Sequence, residues 1–407
     1  KKKGLRWETG RGLFLRKGEI MEILRAANAE IAMRRILQAA VSEKASDVHL
    51  EPCREFVLVR FRIDGTLTER YRLPLAAGLS VRAKVLGGMD VGENRIPQDG
   101  SFSEIRDEKN TDFRLSVMPS VYGETIVIRI LSGQMDFIEK NELGMLPLQK
   151  KIFRTKIGKK SGMILTTGPT GSGKTSTLYA ALKLVCRPEI SVISVEDPVE
   201  YRIPGITQVE VNEKAGLTFE RGLRSLVRQD PDVVMIGEIR DRETAEIAVH
   251  AALTGHLVLS TLHTNDAVSA PARLTDMGIP PYLLSASLSL IISQRLVKKL
   301  CPACRKEMVI TGEMAEEKLF PEAFIGRRAY MAKGCDHCRG KGADGRTGVF
   351  EMLEIGKEER RLLHENAAAE EFSECMRKQG QYSLKESLLR LMESGAVPPE
   401  EAALLWE

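Results

Sequence analysis

The segment Gly168-Pro169-Thr170-Gly171-Ser172-Gly173-Lys174-Thr175 leaves this chain few folds to choose from. It fits the pattern G-x-x-x-x-G-K-[ST] and lies between the apolar run Met163-Ile164-Leu165 and a helix-patterned stretch from Thr175 to Leu184. Its glycines let the backbone wrap with N–H groups pointing inward, and the start of the helix adds the positive end of its dipole. Such a cradle suits the phosphates of a nucleotide. Lys174 reaches the β- and γ-phosphates and the Thr175 hydroxyl ligates Mg²⁺, with Ser176 beside it in the first helical turn. Residues 168–176 therefore predict ATP and Mg²⁺ as cofactors.

The surrounding pattern agrees. Met163–Leu165, Val192–Val195, Val233–Ile236 and Leu257–Thr261 are short apolar runs, and amphipathic stretches at Thr175–Leu184, Phe219–Arg228 and Glu243–Leu253 alternate with them. Strands alternating with helices predict a parallel sheet covered on both faces. The fold class expected is α/β: a RecA-like P-loop core with a smaller N-terminal α/β domain and a tetracysteine zinc insert. With 407 residues the chain exceeds one core. We expect an N-terminal helical segment over 1–45, an α/β domain over 46–140, the core over 141–300, the cysteine element over 301–345 and a helical region over 346–407. In the second of these, Phe56–Ile63 alternates as a strand and ends at the turn dipeptide Asp64-Gly65, and Asp99-Gly100 is read as a second turn. The longest uncharged run, Met277 to Gln294, holds Pro280, Pro281 and four serines. It predicts a buried helix rather than a membrane span. The start Lys1-Lys2-Lys3 has no apolar run behind it, so the expected address is cytoplasmic.

Hydrolysis needs acids at the ends of strands neighbouring the cradle. Glu196 follows one such strand. Glu238 follows another in Gly237-Glu238-Ile239-Arg240-Asp241, where Gly237 replaces the metal-holding Asp of a Walker B motif. Glu238 is thus the metal-side acid, and Glu196 the better candidate to activate water. His256 and His263 flank the strand Leu257–Leu262 and are both candidate nucleotide contacts, since an imidazole past a strand's carboxyl end can donate to the γ-phosphate. Arg224 and Arg228 share one helix face, while Arg60, Arg62 and Arg95 lie in the N-terminal domain; guanidinium suits the open side of a phosphate site.

Four of seven cysteines form two C-x-x-C pairs, Cys301/Cys304 and Cys335/Cys338. Two such knuckles make a closed tetrahedral Zn²⁺ site with a structural role, and His337 inside one knuckle is not needed as a ligand. Low aromatic content, 5%, argues against a base-stacking surface, a net charge of +4 neither demands nucleic acid nor excludes an anionic membrane surface, and the sequence shows no strong basic stripe. A RecA-like nucleic-acid motor is therefore the weaker alternative, as is a nucleotide-binding scaffold without turnover.

In combination these motifs resemble the secretion ATPases that drive type II secretion and type IV pilus assembly (GspE/PilB-like), from about Ala45 to about Ile355. Ser46 to Pro52, Arg60 to Gly65 and Arg95 to Gly100 resemble the family's second N-terminal domain. Glu196 to Glu200 resembles its Asp box, Asp230 to Asp241 its Walker B region, and Gly255-His256 with Thr261 to Thr264 its His box. The resemblance implies that Glu196 activates water, that Glu238 serves the metal, that His263 contacts the γ-phosphate, and that arginines of the N-terminal domain close over ATP. It also implies a homo-hexamer acting beneath inner-membrane platform and docking proteins, peripheral to the cytoplasmic membrane through those partners, adding pilin or pseudopilin subunits. The cysteine element favours assembly over pilus retraction, the alternative within the family.

Overall fold

The computed structural model describes residues 28–75, 78–106, 109–131, 143–200 and 202–406. The chain divides into two compact units, residues 1–133 and 134–407.

In the first unit, helix α1 (Ala29–Ser42) starts where the Asn28 side chain accepts from the Ile31 N–H at 3.0 Å. Its stripe of Ala32, Met33, Ile36, Leu37 and Ala40 is buried in the unit's core with Val48, Phe61 and Ile128. The part of the expected Glu19–Lys44 helical stretch before residue 28 lies outside the described residues. The unit's strands are β1 (Asp47–Pro52), β2 (Phe56–Ile63), β3 (Thr66–Pro74), β4 (Gln98–Arg106), β5 (Lys109–Ser120) and β6 (Gly123–Ile130), with helix α2 (Leu79–Gly87). They form one sheet in the order β3-β2-β1-β6-β5-β4. The Asp64-Gly65 turn closes the β2–β3 hairpin, and its two residues have φ of 52° and 85°, the signs a two-residue hairpin of this twist requires. Asp99-Gly100 is not a turn: both residues lie inside β4. Glycine is required there for another reason, since a Cβ on Gly100 would stand 2.3 Å from the Gly87 carbonyl oxygen.

The second unit holds helices α3 (Pro147–Ile157), α4 (Lys174–Val185), α5 (Phe219–Leu226), α6 (Arg242–Leu253), α7 (Ala270–Asp276) and α8 (Pro281–Ser287). Its strands β7 (Gly162–Thr167), β8 (Val192–Glu196), β9 (Thr207–Glu210), β10 (Val233–Ile236), β11 (Leu257–Leu262), β12 (Leu288–Leu300) and β15 (Ala343–Glu354) form a sheet in the order β15-β12-β7-β11-β10-β8-β9. All neighbours are parallel except β15, which runs antiparallel to β12. Alternate residues feed two cores: Met163, Leu165, Ile236 and Val258 on one face, Ile164, Met235, Leu257 and Leu259 on the other. Burial on both faces is why these strands read as unbroken apolar runs.

The Met277–Gln294 expectation needs correction. Only Pro281–Ser287 is helical, and from Leu288 onward the chain is an inner strand of the sheet. Leu288 to Gln294 are all buried, and a run buried on both faces carries no period that separates strand from helix. Similarly, the stretch from 346 begins as strand. Only from Lys357 do helices follow: α10 (Lys357–His364), α11 (Ala369–Lys378), α12 (Leu384–Glu393) and α13 (Pro399–Leu404). Between β12 and β15, β13 (Arg305–Val309) pairs with β14 (Arg328–Ala332) around α9 (Gly312–Lys318). This insert buries Ile310, Phe320 and Phe324 against Leu388, Leu391 and Met392 of α12.

Candidate functional site

Parallel pairing sets one end of the core. β7, β11, β10 and β8 stand in register, Thr167 beside Leu262 and Val195 beside Ile236, so the residues that follow them emerge along one edge. The loop after β7 rises there, with Gly168, Gly171 and Gly173 at φ of 140°, 79° and 89°. A side chain at Gly168 would meet the Gln294 carbonyl oxygen at 2.6 Å. The loop ends where Lys174 opens α4, with Thr175 and Ser176 half-buried in its first turn. Lys174 Nζ donates to the carbonyls of Gly168 and Pro169 at 2.8 and 3.1 Å. Burial lowers its pKa, against the pull of Glu238 and with a further push from Arg295.

Glu238 lies just past β10, its side chain about one quarter exposed. It accepts from the Arg240 guanidinium, and His263 Nε2 stands 3.4 Å from its other oxygen. Arg240 holds the Glu238 carboxyl below the usual carboxylate range. Arg240 also lies 3.8 Å from Asp197, linking the two acidic segments. At Gly237 a Cβ would press on the Val195 carbonyl at 3.3 Å, so the tight approach of β8 and β10 disfavours a side chain there. The acid sits one residue on.

Glu196 ends β8 and is buried, 3% exposed. Its carboxylate accepts from the Tyr179 hydroxyl, from Ser194 Oγ at 2.6 Å and from Gln208 Nε2 at 3.1 Å. These donors come from α4, β8 and β9, and none belongs to the phosphate loop. The structure thus brings Lys174, Thr175, Glu238 and His263 to one edge and fixes Glu196 firmly beside them.

His256 is not brought there, which corrects its place among the nucleotide ligands. It precedes Leu257, the residue paired with Gly162, and therefore lies at the opposite, amino end of the sheet. Its Nδ1 is 2.9 Å from the Ala251 carbonyl and 3.1 Å from Thr254 Oγ1, the terminus of α6. Arg224 is held by Glu220 and Glu243, and Arg228 Nη2 donates to Ser225 Oγ at 3.2 Å. In the first unit Arg60 pairs with Glu51 at 2.5 Å, Arg62 with Asp47 at 3.7 Å and Arg95 with Glu93 at 2.7 Å.

Of two residues that the motif reading passed over, one holds the loop in shape and the other stands next to it. Gln294 Nε2 donates to the Ser172 carbonyl at 2.7 Å, and its Oε1 accepts from Thr177 at 2.7 Å. Arg295 follows it. The signal was a polar pair ending an apolar run, which identifies nothing until β12 is seen beside β7. Thr167 Oγ1 likewise ties the loop to the segment after β11, accepting from the Thr264 N–H at 2.8 Å.

The four insert cysteines gather, with every sulfur within 4.8 Å of the others. Cys301–Cys335, Cys304–Cys338 and Cys335–Cys338 are 3.9, 3.8 and 3.8 Å apart. A tetrahedral ion with bonds of about 2.3 Å places its sulfurs about 3.8 Å apart, so the set fits Zn²⁺. Burial raises the Cys338 thiol, but N–H groups of Cys335 and Gly342, each 3.2 Å from the sulfur, help bring it down to about 6.

Comparison with known proteins agrees with this geometry. Residues 24–403 match the Type II/IV secretion system protein family. The chain is 45% identical over 381 residues to the type II secretion system protein E of Pseudomonas aeruginosa, covering 93% of this chain and 74% of that one. It is 43% identical over 377 residues to the type IV pilus assembly ATPase PilB of Thermus thermophilus, covering 92% of this chain and 42% of that one. The crystal structure of the pilus retraction motor PilT with bound ADP superposes with a TM-score of 0.64 at 28% identity, covering 90% of this chain and 95% of that one. The DotB ATPase of Legionella pneumophila, at 19% identity, shares the fold with a TM-score of 0.65, covering 92% and 94%. No helix among the described residues is long and apolar enough to cross a membrane. The chain belongs to the Type II/IV secretion system protein family, and it is a secretion or pilus ATPase.

Proposed function

We propose that the protein is a hexameric, cytoplasmic motor that hydrolyses ATP to power pilin or pseudopilin assembly, docked to membrane partners of a secretion or pilus machine. The observation that carries the chemistry is that Glu238, with His263 3.4 Å away, acts electrostatically on Lys174 of the glycine loop. Thr175 and Glu238 would hold Mg²⁺, which neutralises charge on the phosphates. Lys174 leaves two neutral carbonyls to bind the β- and γ-phosphates. His263, more than half exposed, is free to turn from Glu238 to the γ-phosphate. Glu196 activates the attacking water. Its three donors position the carboxylate. Cys301, Cys304, Cys335 and Cys338 would hold Zn²⁺ as a structural ion. This element, together with the identity to protein E and PilB, favours assembly over retraction.

Purified protein is assayed for phosphate release and for ATP-dependent hexamers by light scattering, and the gene is tested for rescue of assembly-deficient and retraction-deficient strains. Turnover, a hexamer and rescue of assembly are expected. Turnover that requires DNA and collapses with salt would return the nucleic-acid motor, and rescue of retraction alone would reverse the direction of work.

A further inference from the structure

β12 brings to the phosphate loop an arginine that the motifs leave unused. Ser293 pairs with Thr167 across the parallel strands, which sets Gln294 and Arg295 level with Gly168. A Cβ on Gly168 would lie 3.2 Å from Arg295 Nη1. That nitrogen donates to the Gln294 carbonyl at 3.1 Å, and Nη2 donates to the Asn265 carbonyl at 2.7 Å. Glu351 and Asp266 act on the guanidinium only from a distance. Both Glu351 oxygens are taken, by the Ala267 N–H at 2.8 Å and the Leu384 N–H at 3.2 Å, and one Asp266 oxygen by the Ser269 N–H at 2.8 Å. Arg295 is thus half-buried, charged, and bonded only to neutral carbonyls.

Lys174 is in the same condition at the same glycine. It too is half-buried and rests on backbone carbonyls, one of them that of Gly168. The two cations are close enough for Arg295 to depress the Lys174 pKa. Two like charges in a shared, partly dry corner are unfavourable until an anion arrives. A polyphosphate supplies negative charge beyond that of Glu238, and a cation of either shape can donate to its oxygens.

We propose that Arg295 is a second phosphate-binding cation of the ATP site, turning from the Gln294 and Asn265 carbonyls to donate to the nucleotide alongside Lys174. This rests on the reading of residues 168–175 as the ATP cradle. The competing role is purely architectural, with the fork tying β12 to the segment after β11. Charge separates the two. Arg295→Gln retains hydrogen-bond donors for the carbonyls and loses the charge, whereas Arg295→Lys retains the charge and loses the fork.

The test is calorimetric titration of wild type and both full-length variants with MgATP, with melting curves in the absence of nucleotide. Wild-type binding checks the cradle itself, independently of Arg295. The expected result is that Arg295→Gln melts like wild type yet binds MgATP at least tenfold more weakly, with a shallower salt dependence, while Arg295→Lys stays within about threefold. Wild-type affinity in a folded Arg295→Gln overturns the proposal. If Arg295→Gln fails to fold, Arg295→Lys decides alone: retained affinity supports the charge, and a tenfold loss in a folded protein assigns Arg295 to the architecture.

Discussion

On the function proposed, the phosphate loop and the tetracysteine cluster both receive charged guests, yet they hold their ligand groups in opposite ways. At the loop the cations already have partners: Lys174 rests on two carbonyls and Arg295 on two others. These partners are neutral, so a phosphate displaces them at modest cost. At the cluster the four sulfurs have mainly each other, with backbone N–H groups turned toward Cys338. Thiols packed this closely gain little until an ion stands among them. A site meant to bind and release keeps its groups provisionally satisfied. A site meant to hold leaves them dependent on the ion.

Removing the metal is therefore the largest perturbation expected. Structural zinc in small cysteine domains is worth about 10 kcal/mol or more of folding free energy. Cys301→Ser, or chelation under mild denaturant, should release one zinc per chain, unfold the insert and lower Tm. The core sheet should keep MgATP affinity within about threefold. Elemental analysis, melting curves and titration check these outcomes, and loss of nucleotide binding along with the metal would break the separation between the two sites.

The mirror experiment strikes the loop. Lys174→Ala should weaken MgATP binding by about 10²-fold or more, roughly 2.7 kcal/mol, with zinc content and Tm unchanged. Glu238→Gln and Glu196→Gln should keep binding and lose about 10²-fold in turnover. Phosphate release by both glutamine variants at wild-type rates would remove the acids from the chemistry. A selective effect is informative too. If only Glu196→Gln lowers Tm, its bonds to Tyr179, Ser194 and Gln208 serve the fold more than the reaction.

How much was legible in the sequence follows the same division. Local motifs carried their own geometry: the glycine loop before α4, the Asp64-Gly65 hairpin and the two cysteine knuckles each depend on neighbours a few residues apart. What depended on pairing was hidden. Gln294 and Arg295 reach the loop only because β12 lies beside β7, and the buried run that makes β12 looks equally like a helix. His256 and His263 sit at either end of one strand, and the parallel pairing of β11 with β7 is what sets His263, not His256, at the edge where the glycine loop rises. Asp99-Gly100 has the composition of a turn, but the glycine answers to the Gly87 backbone.

The smallest effect expected lies at Arg240, and it tests whether the loop's acids are also held provisionally. Arg240 is the main cause of the depressed Glu238 pKa, and it is well exposed, so the pair is screened by solvent and worth at most about 1 kcal/mol. The sign follows from linkage. A carboxyl whose folded pKa lies below its unfolded value, about 4.3, contributes stability above that value and loses it as pH falls through the folded pKa. Arg240→Gln should therefore be slightly less stable than wild type at pH 7, and the difference should shrink below about pH 4 and with added salt. Urea unfolding at several pH values measures it. A gap that persists unchanged at pH 3 would mean that Arg240 stabilises by packing rather than by charge. Glu238 would then hold its proton affinity by some other means, and the contrast with the rigid cysteine cluster would narrow.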